Sequence, residues 1–164
     1  MQEPSPPGMV APSDSRWMAE ALNEARSALE IHEVPVGAIV VRSDCIIGRA
    51  HNLRELLQSP IAHAEILALE QAAGYLGTWR LSDCSLYVTL EPCAMCAGAI
   101  VLARMGRLVF GASDPKAGAC GSVFDIPRDA RLNHQVEVVS GVLAGPCGEL
   151  LQEFFREKRS DAAF

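Results

Sequence analysis

The chain has 164 residues, a length that favours one domain with a substantial buried core. Hydrophobic residues make up 49% of it and charged residues 21%, as in ordinary globular proteins, and no apolar run reaches the ~18 residues of a transmembrane helix. These values exclude a membrane-spanning protein, and the net charge of −6 does not by itself indicate a nucleic-acid-binding protein.

We expect residues 1–13 to form a disordered N-terminal tail, because the Pro, Ser and Gly residues there cannot build a buried face. Residues 14–160 are predicted to form a single domain. The N-terminus has no apolar segment of the secretory type. Six cysteines without paired framework spacing are typical of a reducing compartment. The sequence therefore predicts a cytoplasmic protein.

Apolar periodicity predicts helices and strands along the rest of the chain. Ser13 or Asp14 is a typical N-cap residue for the first helix, and Ser43-Asp44 is typical of a hairpin turn. In chain order, the predicted elements are a helix over residues 14–30, strands over 37–41 and 45–49, a helix over 62–73, a strand over 85–90, a helix over 93–103, strands over 108–111 and 135–140, and a helix over 149–159. The strand–helix–strand unit over residues 85–111 is expected to be parallel, with a right-handed crossover.

Two short motifs supply candidate metal ligands, His63-Ala64-Glu65 and Pro92-Cys93-Ala94-Met95-Cys96. One imidazole and two thiolates leave the fourth position of a tetrahedral zinc open, which distinguishes a catalytic zinc from a structural one. Zinc there would lower the pKa of its bound water toward neutrality, and Glu65 could move protons without serving as a ligand. The pair H-x-E and P-C-x-x-C is the known signature of the zinc-dependent nucleobase deaminases.

The predicted helices place these residues close to helix N-termini. Cys93 and Cys96 are three residues apart, so their side chains share one helix face and can hold one ion. The partial positive charge of a helix N-terminus stabilises thiolates, and Pro92 suits a helix start because it has no N–H group. Glu65 lies two residues beyond His63, so we expect it to reach the open coordination position from the side.

Two other uses of the cysteines stay open. Cys93 and Cys96 could form a redox-active pair, although redox motifs do not need an H-x-E partner. A closed structural zinc site would need a fourth ligand from a remaining histidine or from Cys45, Cys84, Cys120 or Cys147. Isolated cysteines in an intracellular protein are more often small buried apolar residues.

The helix predicted over residues 93–103 carries no charged side chain. A helix that is apolar all round is buried on more than one side. It could pack on the sheet and other elements of its own chain, or against a second subunit, and we favour the second subunit.

Further stretches of the chain match one known family. They are Val34-Pro35-Val36-Gly37-Ala38, Leu86-Tyr87-Val88-Thr89-Leu90-Glu91, Ala97-Gly98-Ala99, Val109-Phe110-Gly111-Ala112, Asp114, Lys116, Gly118, Gly121-Ser122, Asn133-His134 and Phe154-Phe155-Arg156. With the two ligand motifs, they make residues 17–159 resemble the bacterial tRNA-specific adenosine deaminases, which convert the wobble adenosine of an anticodon to inosine. The ligand motifs alone specify only the wider deaminase superfamily.

The resemblance implies an α/β fold of the cytidine deaminase-like type, a three-layer α/β/α sandwich around a five-stranded mixed sheet, assembled as a homodimer. One Zn²⁺ per subunit would be held by His63, Cys93 and Cys96. Glu65 would take a proton from zinc-bound water, protonate the adenine ring nitrogen and then the leaving amine, while zinc hydroxide attacks C6. The partner would be a tRNA anticodon stem-loop, with an arginine tRNA implied.

The same resemblance implies substrate contacts. Asn52 would hydrogen-bond the flipped nucleotide, Val36 would pack on the base, and Asp114 would meet the RNA. From the residues alone, Asn52 could simply end a strand and Asp114 could be a turn residue. Further candidates for RNA binding are Phe155, with Phe154 as second choice for stacking on a splayed base, Arg156 and Lys116. Phe154 and Phe155 cannot both face the same way on a helix, so we expect at least one of them in the core.

The chain departs from the family pattern at positions expected near the RNA. Arg54 stands where a proline is usual, Ser59 and Ile61 replace an aspartate and a threonine, and Ser113 replaces a basic residue. None of these positions is a candidate metal ligand or Glu65, so the differences affect the expected contacts with RNA and not the expected chemistry.

Affinity for nucleic acid depends on local phosphate contacts rather than on net charge. We therefore expect some basic residues to converge around the mouth of the zinc site, with Arg49, Arg54, Lys116, Arg128, Arg131, Arg156, Lys158 and Arg159 as candidates. Two rival interpretations stay open, a deaminase of a free base or nucleotide such as guanine or cytosine, and a zinc-stabilised interaction module without enzymatic activity.

Overall fold

The computed structural model describes residues 7–163, which form five strands and four helices. The strands are β1 (Gly37–Arg42), β2 (Cys45–His51), β3 (Ser85–Leu90), β4 (Arg107–Ala112) and β5 (Glu137–Val139). The helices are α1 (Asp14–Glu30), α2 (Ala64–Leu76), α3 (Ala94–Leu102) and α4 (Ala144–Asp161). None of the helices within residues 7–163 is long and apolar enough to cross a lipid bilayer.

All five strands belong to one mixed sheet with the order β2-β1-β3-β4-β5. The predicted hairpin is confirmed, since β1 pairs antiparallel with β2, and it also pairs antiparallel with β3. The predicted parallel pairing of β3 with β4 is confirmed too, with Leu86 opposite Leu108, and β5 continues the parallel half of the sheet. The central position of β3 places the end of this strand, and the residues that follow it, in the middle of the molecule.

Side chains of the sheet alternate between two hydrophobic cores. Ala38 and Val40 of β1 face a core shared with α2 and α3. Ile39 and Val41 face the opposite core, which contains residues of α1 and α4. Because a strand directs successive side chains to opposite faces, two helices cover each face of the sheet. The predicted three-layer α/β/α sandwich is confirmed.

Two helices extend beyond their predicted ends. Helix α2 continues past Gly74 to Leu76. Its C-cap residue Gly77 has a φ of +67°, a left-handed conformation that glycine adopts without steric cost. Helix α4 begins at Ala144, before Pro146 and the predicted start at residue 149. Proline is tolerated in a first helical turn, where backbone N–H groups have no partner within the helix.

Part of the predicted N-terminal tail contacts the sheet. The Gly8 N–H donates to the Val138 carbonyl at 2.8 Å, and Arg107 donates to the Met9 carbonyl at 2.8 Å. The Ala11 N–H donates to the Asp14 carboxylate at 2.7 Å. Residues 1–6 lie outside the described residues, so the tail prediction stays a prediction for them.

Asp14, at the start of α1, carries a buried carboxylate that ties this helix to the sheet. Two nitrogens of Arg107 donate to its two oxygens at 2.6 and 2.9 Å, and the Tyr87 hydroxyl donates at 2.9 Å. Burial alone would raise the pKa of Asp14, but these hydrogen bonds, that of Ala11 and the charge of Arg107 outweigh it and hold the pKa below its ordinary value. The ionised carboxylate therefore contributes to folding.

We expect Asp14→Asn to lower the free energy of unfolding by about 3 kcal/mol, because it leaves Arg107 without its buried counter-charge. For a chain of this length, that corresponds to a melting temperature lower by about 6 to 12 °C, measured by circular dichroism. The matched control is Asp83→Asn, which breaks the exposed ion pair with Arg42 and should cost less than about 1 kcal/mol. Equal losses in the two variants would contradict a special role for Asp14.

The loss in Asp14→Asn depends on pH with a definite sign. Because the pKa of Asp14 is lower in the folded than in the unfolded chain, its contribution is fully present above the ordinary value of 3.8. It disappears as the pH falls through the lower folded-state pKa. The difference in melting temperature between wild type and variant should therefore be constant near neutral pH. It should narrow only when the pH falls below 3.8.

Candidate active site and metal centre

Three side chains converge where α2 and α3 begin. The Nδ1 atom of His63 lies 3.6 Å from Cys93 Sγ and 3.5 Å from Cys96 Sγ. The three candidate ligand atoms lie within 4.8 Å of one another. Within residues 7–163, no fourth histidine, cysteine, aspartate or glutamate joins this cluster. The structure thus brings together the residues predicted to bind metal.

Both helix starts position the ligands. His63 is the N-cap residue of α2 and Cys93 the N-cap residue of α3, each with extended backbone. The carbonyls of His63 and Cys93 accept the hydrogen bonds of Leu67 and Ala97 that open the two helices. Cys93 therefore lies one residue before the helix rather than inside it as predicted. Both thiols still lie at the N-terminal end of α3, where unpaired N–H groups favour thiolates.

The three groups of the cluster shift one another's pKa values. Hydrogen bonds with the Cys96 thiol and the His63 imidazole hold the pKa of Cys93 well below its ordinary value. The hydrogen bond with Cys93 raises the pKa of His63 although burial opposes this. The hydrogen bond with Cys93 and burial raise the pKa of Cys96, which is the donor of the pair. One imidazole with two sulfur donors is a set that suits zinc, and binding of a divalent cation would displace these protons.

Glu65 lies beside the cluster in the first turn of α2. Its side chain is only 4% exposed. Burial raises the pKa of Glu65 above its ordinary value, and the opposing effects of its backbone N–H and of the His63 charge are smaller. A carboxyl group with a raised pKa can take up and release a proton closer to neutral pH.

A small cavity of about 190 Å³ opens at the cluster. We call it the inner cavity; it is lined by Val34, Val36, Asn52, Arg54, His63, Ala64, Glu65, Leu90, Glu91, Cys93, Asp114 and Ala117. Its volume is below the range of about 300–1,000 Å³ typical of sites for drug-sized ligands. The inner cavity therefore suits one ring system and leaves the rest of a larger substrate outside.

A wider groove of about 1060 Å³ adjoins the inner cavity. We call it the outer groove; it is lined by Val34, Leu90, Ser113, Asp114, Pro115, Lys116, Leu151, Gln152, Phe155, Arg156 and Arg159. Three residues, Val34, Leu90 and Asp114, line both spaces. Because they share these walls, a ligand in the inner cavity can continue into the outer groove.

The two phenylalanines of α4 have different environments. Phe154 is 9% exposed and belongs to the core, whereas Phe155 is 44% exposed and lines the outer groove. Their rings meet edge to face, with centroids 5.2 Å apart. The prediction that at least one of them lies in the core is confirmed, and only Phe155 offers a free ring face to a ligand in the groove.

Four of the eight candidate basic residues converge on the site. Arg54 lines the inner cavity, and Lys116, Arg156 and Arg159 line the outer groove. Arg54 also pairs with the adjacent Glu55. Three candidates away from the site pair with carboxylates: Arg49 with Glu20 and Glu24, Arg128 with Asp125, and Arg131 with Asp129. No ion pair within residues 7–163 involves the three cations of the outer groove. The groove is therefore locally basic although the chain is acidic.

The structure also shows site residues for which the sequence predicted no role. Glu91, Val34 and Leu90 line the inner cavity. Glu91 stands directly before Pro92, so an acidic residue at the end of a buried strand was the available signal. Its hydrogen-bond partners lie 23 to 31 residues further along the chain and follow no local pattern.

A mixed sheet between two helical layers, with one imidazole, two thiols and a buried carboxyl group at the helix starts, defines the class of metal-dependent nucleobase deaminases. The family model of the MafB19-like deaminases matches residues 12–159. A tRNA-specific adenosine deaminase of Bacillus subtilis (strain 168) is 56% identical over 146 residues, which cover 89% of this chain and 91% of that protein. The chain therefore belongs to the deaminases, and within them to the family of the tRNA-specific adenosine deaminases.

Two solved structures have a fold similar to that of this chain. One, from work on A-to-I editing by tRNA:A34 deaminases at the wobble position of transfer RNA, matches with a TM-score of 0.80 and 44% identity, over 84% of this chain and 99% of that one. A guanine deaminase from Nitrosomonas europaea matches with a TM-score of 0.73 and 29% identity, over 93% of this chain and 87% of that one. The fold is thus shared with a deaminase of a free base, so the fold alone does not choose the substrate.

Proposed function

We propose that this protein deaminates the wobble adenosine of a tRNA anticodon by hydrolysis, which converts it to inosine. The observation that carries the proposal is the outer groove, which shares three lining residues with the inner cavity and presents the exposed ring of Phe155 beside Lys116, Arg156 and Arg159. A free base would fill the inner cavity and leave this basic groove unused. Single-stranded RNA is bound by such combinations of cations and stacking aromatic rings.

We propose that His63, Cys93 and Cys96 hold one zinc ion in each chain. When bound, the zinc activates a water molecule at neutral pH by lowering its pKa. These three side chains would leave one ligand position of the zinc to solvent, since within residues 7–163 no fourth histidine, cysteine, aspartate or glutamate joins the cluster.

Glu65 is proposed to carry the protons of the reaction. Deamination replaces the C6–N bond by a C6–O bond, consumes one water and releases ammonia. The reaction needs a group that accepts a proton from water and donates protons to the ring nitrogen and the leaving amine. Glu65 lies in the inner cavity beside the cluster, and its raised pKa suits both steps.

The other predicted contacts are proposed to hold the base. The Asn52 Oδ1 atom accepts the Arg54 N–H at 3.1 Å, so its amide NH₂ group is left to donate to an acceptor on the ring. Val36 lines the same cavity with an apolar side chain. Asp114 stands at the junction with the outer groove, where it can meet the sugar of the flipped nucleotide.

The partner is proposed to be the anticodon stem-loop of an arginine tRNA in the cytoplasm. Base flipping costs less in an anticodon loop than in a duplex, because the bases there are already unpaired. The choice of an arginine tRNA rests on the resemblance of the sequence to its family. Comparison of stem-loops that differ only in their anticodons tests that choice, and equal rates on all of them would contradict it.

We also propose that the protein acts as a homodimer. An apolar groove lies between α2 and α3, where Trp79 is 54% and Leu102 is 70% exposed. Exposed apolar patches of this kind mark contacts with other proteins. The uncharged α3 also fits a subunit contact, since its buried face already packs on the sheet. Sedimentation should give twice the mass of the chain, and a monomer at micromolar concentration would contradict the proposal.

The decisive experiment compares RNA with free bases. An anticodon stem-loop with adenosine at the wobble position is incubated with the purified protein, and inosine is detected by mass spectrometry of the digested RNA. We expect inosine with the stem-loop, none after chelation of the metal, and no deamination of guanine, cytosine or free adenosine. Turnover of a free base without any inosine in the stem-loop would favour the rival deaminase, and no turnover at all would favour the interaction module.

A further inference from the structure

We propose that Glu91 is a positioning residue that holds the loop of residues 113–122, which carries Asp114 and Lys116, against the turn that bears Cys93. This inference rests on the proposed function, because the loop lines both the inner cavity and the outer groove. Glu91 would act on RNA binding through the loop and would not touch the substrate.

Four donors of the loop surround the buried Glu91 carboxylate. Its Oε1 accepts the N–H groups of Cys120 at 3.1 Å and Ser122 at 3.0 Å. Its Oε2 accepts the Asp114 N–H at 2.8 Å and the Ser122 hydroxyl at 2.5 Å. Each oxygen thus receives two hydrogen bonds, as many as its lone pairs accommodate. A saturated carboxylate has no acceptor position left for a substrate.

The backbone of the loop packs directly against the Glu91 carboxylate at Gly118. A Cβ atom on residue 118 would overlap the Glu91 carboxylate, so only glycine fits there. Backbone bonds fix the same region from both sides. The Glu91 N–H donates to the Ala112 carbonyl at 2.8 Å, and the Ala119 N–H donates to the Pro92 carbonyl at 2.8 Å. The loop is therefore attached through Ala119 to Pro92, and the end of β4 that precedes the loop is attached to the backbone of Glu91.

The contact with Asp114 extends to the substrate-facing residues. Glu91 binds the backbone N–H of Asp114, while the side-chain Oδ1 of Asp114 accepts the N–H groups of Lys116 at 3.0 Å and Ala117 at 3.2 Å. A shift of the Glu91 carboxylate would move this turn, and with it the carboxylate of Asp114 and the cation of Lys116. The metal ligands would keep their places, since the N–H of Ala97 and the start of α3 hold Cys93 independently.

Glu91→Gln tests the proposal without a change in side-chain size. The amide offers one oxygen, so two of the four loop donors lose an acceptor and meet an NH₂ group instead. We expect KM for the anticodon stem-loop to rise about tenfold or more, because unsatisfied buried donors are costly. We expect kcat to change by less than about threefold and zinc to remain at one per chain, since uniform binding affects KM and not kcat.

A double-mutant cycle separates positioning from a general structural role. If Glu91 acts through the turn of Asp114, then Glu91→Gln should raise KM much less in an Asp114→Ala background than in the wild type. Ser122→Ala removes one donor and keeps the carboxylate, so it should raise KM by about threefold. The matched control is Glu149→Gln, which removes the same negative charge from an exposed side chain of α4 and should leave KM unaltered.

The outcomes are distinct. Loss of zinc, a fall in kcat at constant KM, or additive effects in the double-mutant cycle would overturn the proposal. If Glu91→Gln does not fold, Ser122→Ala decides, and an unchanged KM in that variant overturns it. Failure of the proposed function would look different, because the wild-type protein itself would then form no inosine in the stem-loop.

Discussion

Glu65→Gln is expected to lower kcat for inosine formation by about a thousandfold while leaving one zinc bound per chain. The amide has nearly the size of the carboxyl group but cannot accept a proton from water and return it to the base, and positioned proton transfer contributes typically 10²- to 10⁴-fold. Glu65 is not part of the cluster of candidate ligands, so metal binding should survive. The measurement is single-turnover conversion of the stem-loop, with zinc determined by mass spectrometry on the same samples.

The control for Glu65→Gln is Glu30→Gln, an exposed change of identical chemistry at the end of α1. It should retain the wild-type rate. A Glu65→Gln protein within tenfold of wild type would remove Glu65 from the proposed proton transfer. Loss of both zinc and turnover would instead make Glu65 a support of the metal site.

Cys96→Ser is expected to abolish both zinc binding and inosine formation. The cluster provides three protein ligands, and loss of one thiolate leaves an imidazole and a single sulfur, too few to retain zinc against a chelator. Zinc content after gel filtration and turnover of the stem-loop are measured together. Wild-type protein stripped by a chelator should lose activity in the same way and regain it when zinc is restored.

Cys45→Ser is the matched control for this experiment, because Cys45 is exposed and lies outside the cluster. It should retain zinc and turnover. Retention of one zinc per chain by Cys96→Ser would argue against the three-ligand site. Full activity of the metal-free wild type would argue against any catalytic role of zinc.

Local patterns predicted the elements of the fold well where one periodicity was uninterrupted. The bounds of α1 and β3 agree with those observed, since helical and buried-strand periodicities run through them without glycine or proline. The start of helix α4 was predicted five residues too late because Gly145 and Pro146 disfavour a helix interior, yet they lie in its first turn. The five-stranded mixed sheet and the three layers were predicted from the family resemblance and not from periodicity, and the order of the strands was not predicted.

Part of the candidate site was likewise predictable from local sequence, and part was not. Spacing and residue chemistry pointed to His63, Cys93, Cys96 and Glu65, and these four side chains are neighbours in the structure. The aromatic pair of α4 shows the limit, because the sequence could not choose between Phe154 and Phe155. Burial of one against the core and exposure of the other to the groove decided it.

The sequence by itself determined the candidate ligand set and the candidate proton carrier, because their identities and short spacings are local properties of the chain. Only the tertiary structure decided which cations face the groove, that Arg49, Arg128 and Arg131 pair with carboxylates instead, and that Glu91 receives four hydrogen bonds from a loop distant in sequence. These contacts depend on how sheet, helices and loops pack against one another. No periodicity or motif encodes a hydrogen bond between residues that only packing makes neighbours.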